Sequence, residues 1–410
     1  MLILKENGKI RLISKSKLIE ITKRFDTPFF LIDSSVLEKK ITEFKCLFSR
    51  SKFNYKLYYS VKTNYTPFIL KFLNKMNVGL EVISGFEVDI LDELGLLSPE
   101  VIINGPSKSY KELKKIIQAG ATIQLDSLEE LKCINEIADN LKKKVRVGLR
   151  VQPLNSNWKR FGISSDEIKK FLNEIQKYKN HITLVGMHCH IGTQILDPSL
   201  YKETAKQLEN IVIDSEIYKT IKYLNLGGGL PSYMAPLTHH KNEPRPYSEY
   251  LHAIEEGLKN LHSLRSDIEI LLEPGRAIVD ESTDLVASVM SNENEKVVLD
   301  TGKNHIPSMN IRHHPVFFEK DSGPKVQEKG LFGCLCMRTD SFPTNIKFPD
   351  LKRNDRILIG CVGAYGQSQS MTFIKYKPPT YVFSSSDEKL RFNIISKRQT
   401  IKDILATYII

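Results

Sequence analysis

YLNLGGG at residues 223–229 and EILLEPGR at residues 269–276 are the two stretches on which the reading of this chain turns. Each is a short apolar run that breaks off into glycine or a charged cluster, as a buried strand does where it hands the chain to a turn. Six runs of the same kind precede them: LYYSVK ending at Lys62, GLEVIS at Ser84, VIINGP at Pro106, TIQLDS at Ser127, VRVGLRVQP at Pro153 and TLVGMHCHIG at Gly192. The intervening segments, such as SYKELKKIIQAG and LEELKCINEIADNLKK, space Leu and Ile three and four apart, which is helical periodicity. Strand and helix therefore alternate eight times, and the predicted fold class is α/β, a (β/α)8 TIM-like barrel. The count fits an open doubly wound sheet equally well. The barrel is preferred because Lys62, His190, the three glycines and EPGR all fall at carboxyl ends of strands, and a closed barrel gathers such ends on one face.

Past about residue 285 the helical spacing stops. LVASVM, KVVLDT, PVFFEK, DRILIGCVGAY, TFIKYK, TYVFS and LRFNIIS follow one another with Pro, Gly, Asn and Asp between them, the pattern of an antiparallel β domain. The opening LILKENGKIRLIS alternates too and is predicted to add an edge hairpin to that domain. The expected domains are thus a barrel over 27–285 and a β domain made of 1–26 and 286–410.

With 410 residues, 41% of them apolar, the chain can bury substantial cores in two or three domains, which excludes general disorder. A mean hydropathy of -0.25, with no apolar run near the ~20 residues a membrane helix needs, excludes a spanning segment. MLILKENGKI turns charged too early for a signal peptide. Cys46, Cys133, Cys189, Cys334, Cys336 and Cys361 are too scattered for a disulfide framework. A reducing cytoplasm is expected. Lys and Arg outnumber Asp and Glu by 59 to 48, for a formal charge of +11. That surplus is spread over helical faces, with a single Trp in the chain, so neither a nucleic-acid nor a membrane partner is predicted.

Five places carry potential chemistry. Lys62 ends the first barrel run; a lysine desolvated at a barrel mouth can form a Schiff base. LNLGGGLP offers backbone amides to a phosphate at strand seven, where barrels commonly bind one; its bland reading is a tight turn. Glu273 and Arg276 flank a Pro-Gly turn, so the acid can meet a protonated heterocycle nitrogen and the arginine a phosphate or carboxylate, or the two can form a salt bridge. His188 and His190 alternate and should share a strand face. No third ligand stands at useful spacing, so no metal is predicted, and stacking on a planar cofactor explains one ring while core packing explains His188. Cys334 and Cys336, one residue apart, are too close for a zinc knuckle.

In order along the chain, DTPFFLID (26–33), VKTN, SGFE, GPSKS, LDSLEEL, RFGI, HCHIGTQ, LGGGLP, EPGR and GAYGQSQS, ending at Ser370, resemble the fold-type III pyridoxal-phosphate decarboxylases, the diaminopimelate decarboxylase branch above all. The resemblance implies an alanine-racemase-like architecture and pyridoxal 5'-phosphate held by Lys62 through a Schiff base. It places His190 against the pyridine ring and Glu273 at the ring nitrogen. Gly228, Gly229, Gly275, Arg276 and Tyr365 would surround the phosphate, with Thr193 where the family often has serine. It further implies a homodimer in which Cys336 is contributed across the interface, beside the α-carbon, so that Cys336 or Lys62 returns a proton after CO₂ leaves.

The distal substrate grips depart from that branch. The glutamate expected after the cysteine is Met337, followed by Arg338, and the Arg-Pro pair expected within DTGKNHIPSMNIRHHPV is Ser308 and Met309. Losing charged contacts costs orders of magnitude in turnover, so diaminopimelate is not the expected substrate. Arg276, Met337, Arg338 and Tyr365 are the expected substrate contacts. Lys303, His305, Arg312, His313, His314 and Arg338 form a cationic set suited to an anionic distal group: a citryl or other carboxylated adduct as in siderophore assembly, or an amino acid on an acidic carrier protein. Solvated surface is the other reading of that set. Competing functions are a racemase, a catalytically silent pyridoxal-phosphate-binding regulatory paralogue, and a diaminopimelate decarboxylase with altered motifs. Glu273 and Cys336 argue against the first, and retention of Lys62, Glu273 and Cys336 against the second.

Overall fold

A computed structural model describes residues 2–6, 9–13, 15–154, 160–233, 236–240, 242–319, 327–387 and 389–409. The chain divides into two compact units, one made of Ile41–Pro231 with Pro244–Gly275 and the other of Met1–Lys40, Ser232–Glu243 and Arg276–Ile410.

The first unit is a closed barrel of eight parallel strands: β1 Asn54–Ser60, β2 Gly79–Val82, β3 Ile102–Ile103, β4 Thr122–Leu125, β5 Val145–Arg150, β6 Ile182–His188, β7 Tyr223–Asn225 and β8 Glu269–Leu272. Each of the eight runs supplies one strand, neighbours in space are neighbours in sequence, and β8 closes on β1 with Leu272 opposite Leu57. Tyr58, Ile102, Val185, Tyr223 and Leu271 cluster in its core, and the Tyr223 hydroxyl accepts from Gln124 Nε2 at 2.8 Å, which keeps that phenol paired. Helices follow the strands where the spacing predicted them. Tyr110–Ala119 shows why: Ser109 and Glu112 form a reciprocal capping box at its start, and Gly120 turns left-handed at φ 72° at its end. Its apolar Leu113, Ile116 and Ile117 are buried, as three- and four-residue spacing requires.

The second unit is built on the long strand Thr283–Glu293, which pairs antiparallel with Phe29–Asp33, Lys296–Leu299 and Arg356–Ile359. The nine-stranded sheet is mixed rather than wholly antiparallel. Phe29–Asp33 runs parallel to Thr380–Phe383, and Lys296–Leu299 parallel to Gln327–Phe332. Its core includes Phe30, Leu285, Val289, Leu299, Met309 and Ile357.

Several expectations meet a different arrangement here. Of the expected barrel range 27–285, residues 27–40, Ser232–Glu243 and 276–285 group with the second unit; Phe29–Asp33, buried at all five positions, is hydrogen-bonded into its β sheet. TFIKYK is not a strand beyond an isolated Phe373–Lys375 bridge; residues 371–376 are exposed, Phe373, Ile374 and Tyr376 among them, rather than packed into the sheet. Gln327–Phe332 and Ile346–Phe348 are strands the spacing did not indicate. The early hairpin exists, Leu2–Glu6 against Lys9–Ile13, but as a two-stranded sheet of its own rather than an edge of the larger one. Asn7, Gly8 and Ser14 of that run, and Lys320 of PVFFEK, lie outside the described residues.

Candidate active site

The barrel places a set of polar side chains at the carboxyl ends of its strands. Register sets Arg150, His188 and Asn225 side by side across β5, β6 and β7, and Ser60 beside Glu81 across β1 and β2. Glu273, one residue past β8, is buried. Its Oε1 accepts from Asn225 Nδ2 at 2.5 Å, and Asn104 Nδ2 stands 3.3 and 3.2 Å from its two oxygens. His188 Nε2 is 3.6 Å from Oε2, and neither ring nitrogen of His188 has a hydrogen-bond partner. Burial raises the Glu273 carboxyl above the usual carboxylate range, helped by the charge of Glu81 and opposed by Asn225, Lys62 and Asn104.

Lys62 lies in the single 3-10 turn Val61–Thr63 directly after β1. Its charge acts on Glu273, His188 and His190. His190 is pushed down to about 3, first by burial and then by Lys62 and Arg150, so its ring is neutral at physiological pH. The strand ends at His188, so the alternation expected of the two histidines does not carry to 190. His188 approaches Glu273, whereas His190 Nδ1 accepts from Gly228 N at 3.2 Å. Among the described residues no group of three His, Cys, Asp or Glu could hold a metal.

The glycine turn is fixed by close approach. A methyl on Gly228 would collide with the Glu273 carbonyl oxygen, and one on Gly229, at φ 102°, would lie 2.6 Å from the Gly192 carbonyl. Tyr201 Oη donates to Gly228 O at 2.8 Å and Ile195 N to Gly229 O at 2.9 Å, so the turn's carbonyls are engaged from outside. Thr193, in the loop after His190, is exposed. Gly275 completes the set within the barrel unit and is buried.

In the second unit Arg276 opens the short helix Arg276–Val279. Its guanidinium lies over the Tyr365 ring, 5.1 Å from the centroid, and its Nε and Nη1 are buried with no hydrogen-bond acceptor. Tyr365 holds a left-handed backbone at φ 66°, a costly conformation for a non-glycine residue that the surroundings must enforce. Cys336, Met337 and Arg338 sit on a separate loop folded around Asp340, whose carboxylate accepts from Leu335 N at 2.7 Å and Lys303 N at 2.6 Å. Cys336 and Arg338 are exposed and Met337 is half-buried.

The cationic set does not stay together as a binding surface. Arg312, 1% exposed, forms a buried ion pair with both oxygens of Asp280. His314 bridges the Gly360 carbonyl and Ser308 Oγ, and His305 bridges Thr301 Oγ1 and the Tyr376 carbonyl. Burial pushes both histidines down to about 4. Lys303 Nζ donates to Asn310 Oδ1 at 2.8 Å, which leaves His313 and Arg338 as the exposed members. Asn104, Asn225, Glu81 and Asp280 were not singled out from sequence. For the first three a signal existed: each is a polar residue in or just after an apolar barrel run, as in VIINGP, LNLGGG and GLEVIS.

Residues 35–280 match the family model described as "Pyridoxal-dependent decarboxylase, pyridoxal binding domain". The chain is 28% identical to the diaminopimelate decarboxylase of Aquifex aeolicus, over 86% of this chain and 85% of that one. It is 24% identical to the L-glutamyl-[BtrI acyl-carrier protein] decarboxylase of Niallia circulans, over 96% of both. The crystal structure of diaminopimelate decarboxylase from M. jannaschii superposes with a TM-score of 0.85 at 25% identity, covering 100% of this chain and 98% of that one.

Proposed function

This chain belongs to the pyridoxal-dependent decarboxylases, enzymes that release CO₂ with pyridoxal phosphate as cofactor, and on that premise we propose that it removes the α-carboxylate of an amino acid or amino-acid adduct other than diaminopimelate. The observation that carries the site assignment is the buried carboxyl of Glu273, whose hydrogen-bond donors are the neutral amides of Asn225 and Asn104. A carboxyl so placed calls for a positively charged heterocyclic N–H. For the cofactor's other end, the barrel unit offers a glycine turn that excludes side chains; the second unit carries Arg276, with two buried nitrogens that lack hydrogen-bond acceptors.

In this reading Lys62 is the attachment point, His190 packs its neutral ring on the cofactor, and Glu273 faces the ring nitrogen. Gly228, Gly229, Gly275, Arg276 and Tyr365, with Thr193, hold the phosphate. When bound, the cofactor supplies an aldehyde for the amine and a ring that accepts the electron pair CO₂ leaves behind. The chain's own contribution is to keep that ring protonated through Glu273, exclude water, and return a proton to the α-carbon from Lys62 or from Cys336 of a partner chain in a two-fold dimer.

Met337, Ser308 and Met309 support a substrate unlike diaminopimelate, since none carries the charge that a distal amine or carboxylate requires. Arg338, exposed beside Cys336, favours an anionic distal group. A carboxylated adduct of the siderophore type and an aminoacyl group on an acidic carrier protein both have one. The relative that acts on a carrier-bound glutamyl group supports the second. Among the described residues no helix is long and apolar enough to cross a membrane.

The test is CO₂ release by purified protein loaded with pyridoxal phosphate, offered diaminopimelate, lysine, ornithine, arginine, glutamate and a glutamyl carrier-protein thioester. CO₂ from an anionic member and none from diaminopimelate is expected; rapid turnover of diaminopimelate would overturn the substrate reading. Lys62→Ala should lose both the near-visible absorbance and turnover. α-Proton exchange without CO₂ would point to the racemase reading, and binding without either reaction to a silent paralogue.

A further inference from the structure

Glu81 and Glu273 are both buried, at 1% and 4% exposure, and one nitrogen serves them both. Asn104 Nδ2 donates to Glu81 Oε1 at 2.8 Å and faces Glu273 Oε1 and Oε2 at 3.3 and 3.2 Å. The remaining donors are neutral: Ser60 Oγ to Glu81 Oε2 at 2.5 Å and Asn225 Nδ2 to Glu273 Oε1 at 2.5 Å. The charged and titratable groups around Glu273 are Lys62, which attracts it, and Glu81, which repels it. Also near it are His188, which burial keeps neutral, and the phenols of Tyr58 and Tyr223, which burial raises and so keeps protonated; on the Glu81 side stands the buried carboxyl of Glu87, pushed up to about 7 first by burial and then by the charge of Glu81.

Two carboxylates on a single amide in a site this dry cannot both ionise without a heavy cost. A proton on one carboxyl removes its repulsion from the other. We propose that Glu81 and Glu273 hold one proton between them in the cofactor-free chain, and that this proton passes to the ring nitrogen of pyridoxal phosphate when it binds. The inference rests on the reading that Glu273 faces that nitrogen. In the transfer an O–H bond of the pair breaks and an N–H bond forms. The pair goes from one negative charge to two as the ring gains one positive charge, so the site draws no proton from solvent. Glu81 is then a positioning residue that acts through Glu273: burial raises the Glu273 carboxyl first and the charge of Glu81 raises it further, and the proton is stored through the two together.

The experiment compares wild type with Glu81→Gln by calorimetric titration of the cofactor-free proteins with pyridoxal phosphate, in buffers of differing ionisation enthalpy, which counts protons exchanged on binding. Contributions from the phosphate and from Lys62 cancel in the comparison. Glu81→Gln is expected to take up about one proton more per chain than wild type near neutral pH, because Glu273 alone no longer stores one; equal uptake would overturn the proposal. Infrared difference spectra of the wild type provide a reading that needs no variant. A protonated-carboxyl band should disappear as pyridoxal phosphate binds, and its persistence or absence throughout would sink the idea. If wild type fails to bind pyridoxal phosphate, the cofactor reading itself falls and takes this one with it, whereas binding with unchanged proton counts removes the inference alone.

Discussion

Asn225 spans the gap from the end of β7 to the residue after β8: its amide nitrogen donates to Glu273 Oε1 at 2.5 Å while its Oδ1 accepts from Gly227 N at 2.8 Å. One side chain therefore steadies the buried carboxyl and shapes the start of the glycine turn. Asn225→Ala removes both bonds, leaving Gly227 N without this acceptor and Glu273 Oε1 with the longer Asn104 contact at 3.3 Å, at a cost of about 1–3 kcal/mol. Pyridoxal phosphate affinity, read by absorbance titration, should fall at least tenfold, with a lower denaturation midpoint; unchanged affinity would count against the site.

At Gly228 the smallest possible addition tests the cradle. Gly228→Ala drives a methyl into the Glu273 carbonyl, and because that contact is with backbone, the turn rather than a flexible side chain must move. A loss of stability of about 1–3 kcal/mol is expected, with cofactor affinity reduced. Thr193→Ala, at an exposed loop position, should leave stability within about 0.5 kcal/mol of wild type. Denaturant titrations of the two variants decide the contrast.

Arg312 serves stability in the second unit rather than substrate. Burial would raise the Asp280 carboxyl, but the Arg312 guanidinium more than offsets this and holds it below the usual carboxylate value. Stability from this pair is thus present above the unfolded carboxylate value and lost as acid takes the pH through the lower folded one. Arg312→Leu leaves Asp280 buried without its main cation and should cost about 3–5 kcal/mol. The double variant Arg312→Leu with Asp280→Leu should recover part of that. A KM effect from Arg312→Leu at unchanged stability would contradict the assignment.

Neutral buried histidines make the protein acid-sensitive. His305 and His314 are pushed down to about 4 by burial and His190 to about 3, while in the unfolded chain each sits near 6.5. The unfolded state then binds more protons as pH falls from about 6.5 toward 4, so stability declines through that window. Relative to wild type, His314→Gln should gain about 1.4 kcal/mol for each unit the pH is lowered within it. Denaturant midpoints at several pH values provide the slope, and parallel pH curves would refute the prediction.

The proposal that two chains share an active site predicts complementation. Lys62→Ala and Cys336→Ala chains, each nearly inactive alone, should on unfolding and refolding together recover about a quarter of wild-type activity, since half of random two-fold dimers carry one intact site. No recovery from a mixture shown to exchange subunits would place both residues in one chain's site.

The alternation of apolar strand runs with helical spacing announced all eight barrel strands, and the polar breaks at their ends marked Lys62, His190, the glycine turn and Glu273 as neighbours of one face. These are local properties, because period and punctuation are written in adjacent residues. What could not be read there depended on partners distant in the chain. TFIKYK has the composition of a strand but nothing to cover it, whereas Gln327–Phe332 is held as one by Lys296–Leu299 and Ile346–Phe348. Arg312 and His314 looked like anion binders until Asp280 and the Gly360 carbonyl took them up.

The amino-acid order alone therefore determined the eight barrel strands and the mouth they share, because amphipathic period and turn residues act over a few positions, while the class of chemistry followed from the resemblance of the ordered motifs to a known family. Only the folded chain decided which polar groups share a proton, a charge or a hydrogen bond. That Asn104 serves both Glu81 and Glu273, or that His188 turns to Glu273 instead of following His190, depends on registers between strands far apart in sequence. Burial then sets the electrostatic cost of each such meeting, and no linear spacing encodes it.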